Sequence, residues 1–115
     1  MCCHTELNWV DYDAGEGGLK LAFLLDEYAS NGATAITALC EEDGFVECYA
    51  DLTVNLGGPA RANAGFLDAN NSRELCEFVV AKGWARRVGE GRSGFCAYPL
   101  VEFSREFIDE VCTRA

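Results

Sequence analysis

The stretch Phe45-Val46-Glu47-Cys48-Tyr49-Ala50-Asp51-Leu52-Thr53-Val54-Asn55-Leu56 alternates along its whole length. Val46, Cys48, Ala50, Leu52, Val54 and Leu56 are all apolar, and the residues between them are mostly polar. Successive side chains of a strand point to opposite faces, so a period of two predicts a strand with one face on a core and the other largely in water. Asp43-Gly44, just upstream, is a hairpin-turn dipeptide. Thr34 to Cys40, rich in Ala, Thr and Ile, then reads as the partner strand. Asn31-Gly32 marks another turn and makes Leu19 to Tyr28 a third strand of a meander, although Leu21, Leu24, Leu25 and Tyr28 also suit a helix ending at Gly32. Leu7 to Tyr12 adds a short edge strand, joined through the flexible Ala14–Gly18.

Downstream, Gly57-Gly58-Pro59 stops the strand and opens a loop that runs to Gly65. Phe66-Leu67-Asp68 is a brief extended piece. Asn71 has the chemistry of a helix N-cap, with Glu74 three residues on to complete a capping box. That helix runs through Lys82 to Gly83, a left-handed C-cap, and Leu75, Phe78 and Val79 form its apolar stripe. Gly89 to Gly94 reads as a tight loop, and Phe95 to Phe103 as a strand in which Pro99 implies an edge position or a bulge. Ser104 caps a terminal helix with Phe107, Ile108, Val111 and Cys112 on one side. The expected fold is α+β in one domain over residues 1–115: an antiparallel sheet, made of the meander and a C-terminal strand, with two helices packed on one face. Residues 1–5 are expected to fray.

Composition narrows the function classes. Half of the 115 residues are hydrophobic and 24% are charged, a globular balance. No apolar run approaches the roughly 18 residues of a membrane span. The net charge of −10 argues against direct binding to nucleic acid phosphates. That charge is unevenly placed: residues 1–60 hold eleven acidic groups against Lys20 alone, and residues 61–115 hold eight of each sign.

Seven cysteines form no C-x-x-C motif, and His4 is the only histidine. The start of the chain has neither a basic nor a hydrophobic signal region, so a cytoplasmic location with reduced thiols is expected. Cys2, Cys3 and His4 are adjacent, which is poor geometry for a shared metal ion, and no cofactor or metal is expected. Cys48, Cys76, Cys96 and Cys112 lie among apolar neighbours and read as core residues rather than as nucleophiles, which would need a base. Gly91-Arg92-Ser93-Gly94 lacks the lysine and the following helix of a phosphate loop. Asp68, Asn70 and Asn71 suit turn and cap roles better than calcium. Glu47 and Asp51, on one strand face, would stand about 13 Å apart, too far for a glycosidase pair. No catalytic constellation is visible, and the chain is not expected to be an enzyme.

Three blocks resemble one family. They are Cys48-Tyr-Ala-Asp-Leu-Thr-Val-Asn-Leu-Gly-Gly58, Phe66-Leu-Asp-Ala-Asn-Asn71, and Gly91-Arg-Ser-Gly-Phe-Cys-Ala-Tyr-Pro-Leu-Val-Glu-Phe103. Together they are similar to the family called domain of unknown function 4313, over roughly Leu19 to Phe103, with the final helix outside. The chain departs from the family pattern at Ala69, where Thr is more usual, and in the Ala60–Gly65 loop. The resemblance implies a setting, conjugative and other mobile elements of gut bacteria, and no mechanism.

With the charge asymmetry, that setting leads to one functional expectation: a non-enzymatic, acidic interaction protein. Its negative sheet face would meet a basic protein surface, for instance on a host defence nuclease, in an anti-restriction or anti-CRISPR role that mimics DNA charge. The contact residues would be Glu41, Glu42, Asp43, Glu47, Tyr49 and Asp51. The plainer alternative is that the acidic surface only keeps the protein soluble. Two further alternatives are an accessory of conjugative transfer using an apolar patch around Trp84 and Tyr98, and a small hydrolase built around Asp68.

Overall fold

The computed structural model describes residues 7–12 and 19–115. The expectations for Cys2, Cys3, His4, the frayed terminus and the Ala14–Gly18 connection lie outside those residues. The chain runs β1 (Val10–Tyr12), β2 (Leu19–Glu27), β3 (Thr34–Glu42), β4 (Phe45–Asp51), β5 (Thr53–Val54), β6 (Ala64–Leu67), α1 (Arg73–Ala81), β7 (Ala85–Ser93) and β8 (Cys96–Phe103). A π-helical turn (Phe107–Val111) and β9 (Cys112–Arg114) follow. It is an α+β chain dominated by antiparallel strands, and it differs from the expected architecture in two ways.

First, there are two sheets, not one. Strands β1-β2-β3-β4 form the meander, with β9 added parallel to β2, while β5-β6-β8-β7 form a second sheet. The stretch Phe45–Leu56 belongs to both. It leaves the meander at Leu52, which is fully buried between the two sheets' strands. At that corner the Leu52 amide still donates to the Ile36 carbonyl at 2.9 Å, and the Leu52 carbonyl accepts from the Asp68 amide at 2.9 Å. The ladder to β3 then ends, and the Thr53 hydroxyl takes over as acceptor for the Ile36 amide at 3.0 Å. The polar–apolar alternation of residue types runs on through this corner, although Leu52 and Thr53 are both buried there.

Second, only α1 is a regular helix. The terminal segment is a single π-helical turn, capped as expected by the Ser104 hydroxyl accepting from the Phe107 amide at 3.1 Å. Its Cys112 continues into β9 rather than lying on a helix. Both helical pieces contribute to one core: Phe107 stacks on Trp84 at 5.3 Å and meets Phe23 edge-on at 5.1 Å. Burying each such ring contributes about 2 to 3 kcal/mol.

Helix α1 starts one residue later than expected. Ser72 is the N-cap, but its hydroxyl donates to the Asp51 carbonyl at 3.0 Å instead of capping, while the Asn71 amide donates to the Asp68 carboxylate at 3.2 Å. The C-terminus is as expected: Gly83, at φ +77°, lets its amide reach Val80 and the Trp84 amide reach Val79.

The expected Gly89–Gly94 loop is strand instead. The two-residue turn is Gly94-Phe95, between Ser93 and Cys96. Gly91 is required by packing, since a Cβ there would stand 2.5 Å from the Phe66 ring and 2.9 Å from Leu56. Pro99, paired with Glu90, fits because β6 pairing has ended at Leu100, so no ladder on that side needs its missing N–H. Among the described residues, no helix is long and apolar enough to cross a membrane.

Candidate functional site: an acidic hairpin

Strands β3 and β4 form a hairpin closed by Asp43 (φ +52°) and Gly44 (φ +82°). Two successive positive φ values are the mark of the turn that matches strand twist, which is why Asp-Gly is favoured there. The hairpin gathers all six expected residues, and all six are exposed: Glu41, Glu42, Asp43, Glu47, Tyr49 and Asp51.

Their arrangement differs from the expected single face. Leu39 pairs with Cys48 and Ala38 with Ala50, so Tyr49 is an extra residue, a β-bulge. The bulge reverses the alternation. Leu21 pairs with Cys40 and Cys40 with Glu47, so these three share the core-side face. Leu24 pairs with Thr37 and Thr37 with Asp51, which places Asp51 on the opposite face. There the Thr37 hydroxyl donates to the Asp51 carboxylate at 3.4 Å. Glu42, opposite Phe45, falls on the Glu47 side, and Glu41 on the Asp51 side. The Cys40 thiol registers this geometry: burial, then Glu47 and Glu42, push its pKa up.

The bulge turns Tyr49 towards the core, where its ring meets the buried Tyr12 edge-on at 5.8 Å. Tyr12 in turn meets Phe78 of α1 at 4.9 Å. Burial, and next the Tyr49 phenol, push the Tyr12 hydroxyl above the ordinary tyrosine range. Beside this contact a cleft of about 520 Å³ lies between β4 and the start of α1, lined by Tyr12, Tyr49, Asn71, Arg73 and Glu74 among others.

Beyond Tyr49, nothing among the described residues covers the hairpin. Residues Phe45 to Tyr49 are exposed on both faces, Phe45 at 72% and Val46 at 48%. The expectation that Val46 and Cys48 lie on a core is therefore corrected, because the bulge at Tyr49 puts them on the face opposite the one that Leu21, Ala38 and Ala50 turn to the core. Cys96 is also exposed, beside the β7–β8 turn, whereas Cys76 and Cys112 are buried as expected.

Among the described residues the ion pairs lie away from the hairpin. Lys20 pairs with Asp11, Arg61 and Arg86 both pair with Glu102, and Arg87 pairs with Glu90. Among the described residues no ion pair involves Glu41, Glu42, Asp43, Glu47 or Asp51. The sites of the other readings lie elsewhere. Trp84 is buried against Phe23, Phe78 and Phe107, leaving only Tyr98 half-exposed of the expected apolar patch. Asp68 is buried under α1, with its carboxylate accepting from Asn71. Among the described residues no three His, Cys, Asp or Glu groups are placed to hold a metal ion.

Signals for the bulge are weak in the sequence. The exposed Phe45 beside the turn, by contrast, is legible as an aromatic in a hairpin tip.

A family model described as Domain of unknown function (DUF4313) matches residues 22–115. The match takes in the whole acidic hairpin, and also the π-helical turn and β9, which the sequence resemblance had left out. No curated protein and no solved structure matches.

Proposed function

The chain belongs to the DUF4313 family, and we propose that it works as a non-enzymatic acidic interaction protein through the β3–β4 hairpin. The hairpin enters a basic groove on a partner that handles nucleic acid. A host defence nuclease is the partner chemistry that fits the mobile-element setting, in an anti-restriction or anti-CRISPR-like role. One observation carries this reading: five carboxylates project on both faces of one hairpin with no cation paired to them among the described residues. Unpaired, exposed charge of one sign steers a complementary partner and speeds encounter. Phe45 at the tip and Tyr49 at the base add aromatic surface of the kind found at protein interfaces.

A two-sided finger, in place of a single charged face, suits a groove whose walls are both basic. The test is affinity capture from host lysate at low and high salt, with mass spectrometry of the eluate. The expected result is a nucleic-acid-handling protein retained at low salt and released at high salt. Retention that is insensitive to salt, or that survives reversal of Glu47 and Asp51 to lysine, overturns the reading.

A further inference from the structure

Among the described residues, the outer edge of β4 has no strand beside it. It is the last strand of its sheet, and its other edge alone is used, by β3. Which of its peptide groups are free follows from the hairpin. Glu42 and Phe45 flank a two-residue turn, so they exchange both hydrogen bonds, and so do Cys40 and Glu47 one full repeat further on. Val46 and Cys48 therefore direct their N–H and C=O groups outwards, away from β3. The bulge at Tyr49 ends this regular edge.

Natural sheets usually blunt such an edge. Here the blunting is selective. A second copy of the chain laid against β4 would bring two hairpins of five carboxylates together, and like charges across a ladder are destabilising. The same charges favour a cationic strand. Side chains along Phe45–Cys48 divide cleanly: Phe45 and Glu47, with Glu42 behind them, on one face, and Val46 and Cys48, with the half-buried Leu39 behind, on the other.

We infer that the free edge of β4 accepts an extended segment of the partner as an added antiparallel strand, with alternating basic and apolar side chains. This rests on the reading of the hairpin as the binding element and names how the backbone takes part. The apolar residues of the segment exchange hydrogen bonds with Val46 and Cys48 and lie on their face. The basic residue between them stands opposite Glu47 in a non-hydrogen-bonded pair, where side chains approach most closely.

The probe is a short synthetic peptide of alternating arginine and valine, in three forms: unmodified, N-methylated at its valine amides, and N-methylated at its arginine amides. All three carry the same charge. Binding to the full chain is measured by calorimetry. The unmodified and arginine-methylated peptides are expected to bind, and the valine-methylated peptide to bind at least about tenfold more weakly, because its donors to β4 are gone. On the protein side, Val46→Pro removes an outward-facing donor that β3 does not use, which an edge strand tolerates. It should leave the circular dichroism unchanged and weaken the unmodified peptide by a similar factor.

Equal binding of all three peptides, still lost in Glu47→Lys, overturns the added strand and leaves the acidic hairpin standing as a charge-only site. No binding of any peptide overturns the added strand, and salt-dependent capture of a partner then still decides the hairpin reading separately. A dimer of the free protein that Val46→Pro dissociates would show the edge occupied by a second copy and also overturn the inference.

Discussion

Glu47 and Asp51 stand on opposite faces of β4, although four residues apart on a regular strand would put them on the same one. Tyr49 is the cause: as the extra residue of a bulge it shifts the alternation by one, and its own ring is held against Tyr12. The acidic hairpin is charged all round as a result.

Charge reversal at the two positions should therefore act independently. Glu47→Lys and Asp51→Lys are each expected to weaken capture of a basic partner, and the double variant should show the sum of the two effects to within about 0.5 kcal/mol. Neither should shift thermal unfolding much, since both side chains are exposed and unpaired with any cation among the described residues. Titration of each variant against the captured partner checks this, and strong non-additivity would mean that both groups contact one cation.

Thr53→Val should destabilise the fold. The Thr53 hydroxyl accepts from the buried Ile36 amide and shares a 2.9 Å hydrogen bond with Tyr28. Valine keeps the shape and leaves an amide unsatisfied at the corner where the strand changes sheets. The expected cost is about 1 to 3 kcal/mol, read as a lower urea midpoint with an unchanged slope. A neutral result would mean that another acceptor reaches Ile36.

Gly91→Ala tests a close approach rather than a turn. The added methyl meets Phe66 and Leu56 well inside contact distance, so overpacking of about 1 to 3 kcal/mol is expected. Combining it with Phe66→Leu should recover part of the loss. Equilibrium denaturation of the single and double variants measures both.

Cys76 and Cys112 should make the protein alkali-sensitive. Burial, aided at Cys76 by Asp68 and Glu77, pushes both thiols up to about 12. In the unfolded chain they ionise near about 8.5. A pKa raised on folding gives stability that is intact below the unfolded value and is lost as pH rises towards the folded one. Urea midpoints should fall from about pH 9 upwards, and Cys76→Ala, though less stable overall, should fall less steeply. Alkylation at neutral pH should mark the exposed Cys48 and Cys96 and spare Cys76 and Cys112. Modification of either buried thiol without unfolding would contradict the structure.

Much of this fold is legible in the sequence where local chemistry decides. Asp43-Gly44 and Gly83 occupy left-handed conformations that few other residues tolerate, so residue type alone marks them as turn and cap positions. Strands β2, β3, β4 and β8 follow from alternation and turns. What escapes is set by tertiary contact. The passage of one alternating stretch into two sheets at Leu52 leaves no local mark, since the polar–apolar alternation of residue types runs unbroken through a corner where Leu52 and Thr53 are both buried. The glycines of β7 read as loop-formers because their real requirement, the Phe66 ring over Gly91, comes from a strand some 25 residues away. The exposure of Val46 and Cys48 depends on the bulge at Tyr49, which turns them away from the face that α1 covers. The acidic cluster itself was legible, but its two-sided form was not, because a single bulged residue decides it.

The parallel pairing of β9 with β2 sets Phe23 beside Cys112, so the first long strand cannot finish its hydrogen bonding until residues 112–114, some ninety positions downstream, have left the ribosome. The nascent chain must wait with one side of β2 open over part of its length, while β3 and β4 zip up on the other side. Synthesis thus delivers the acidic hairpin well before it closes the sheet that carries it.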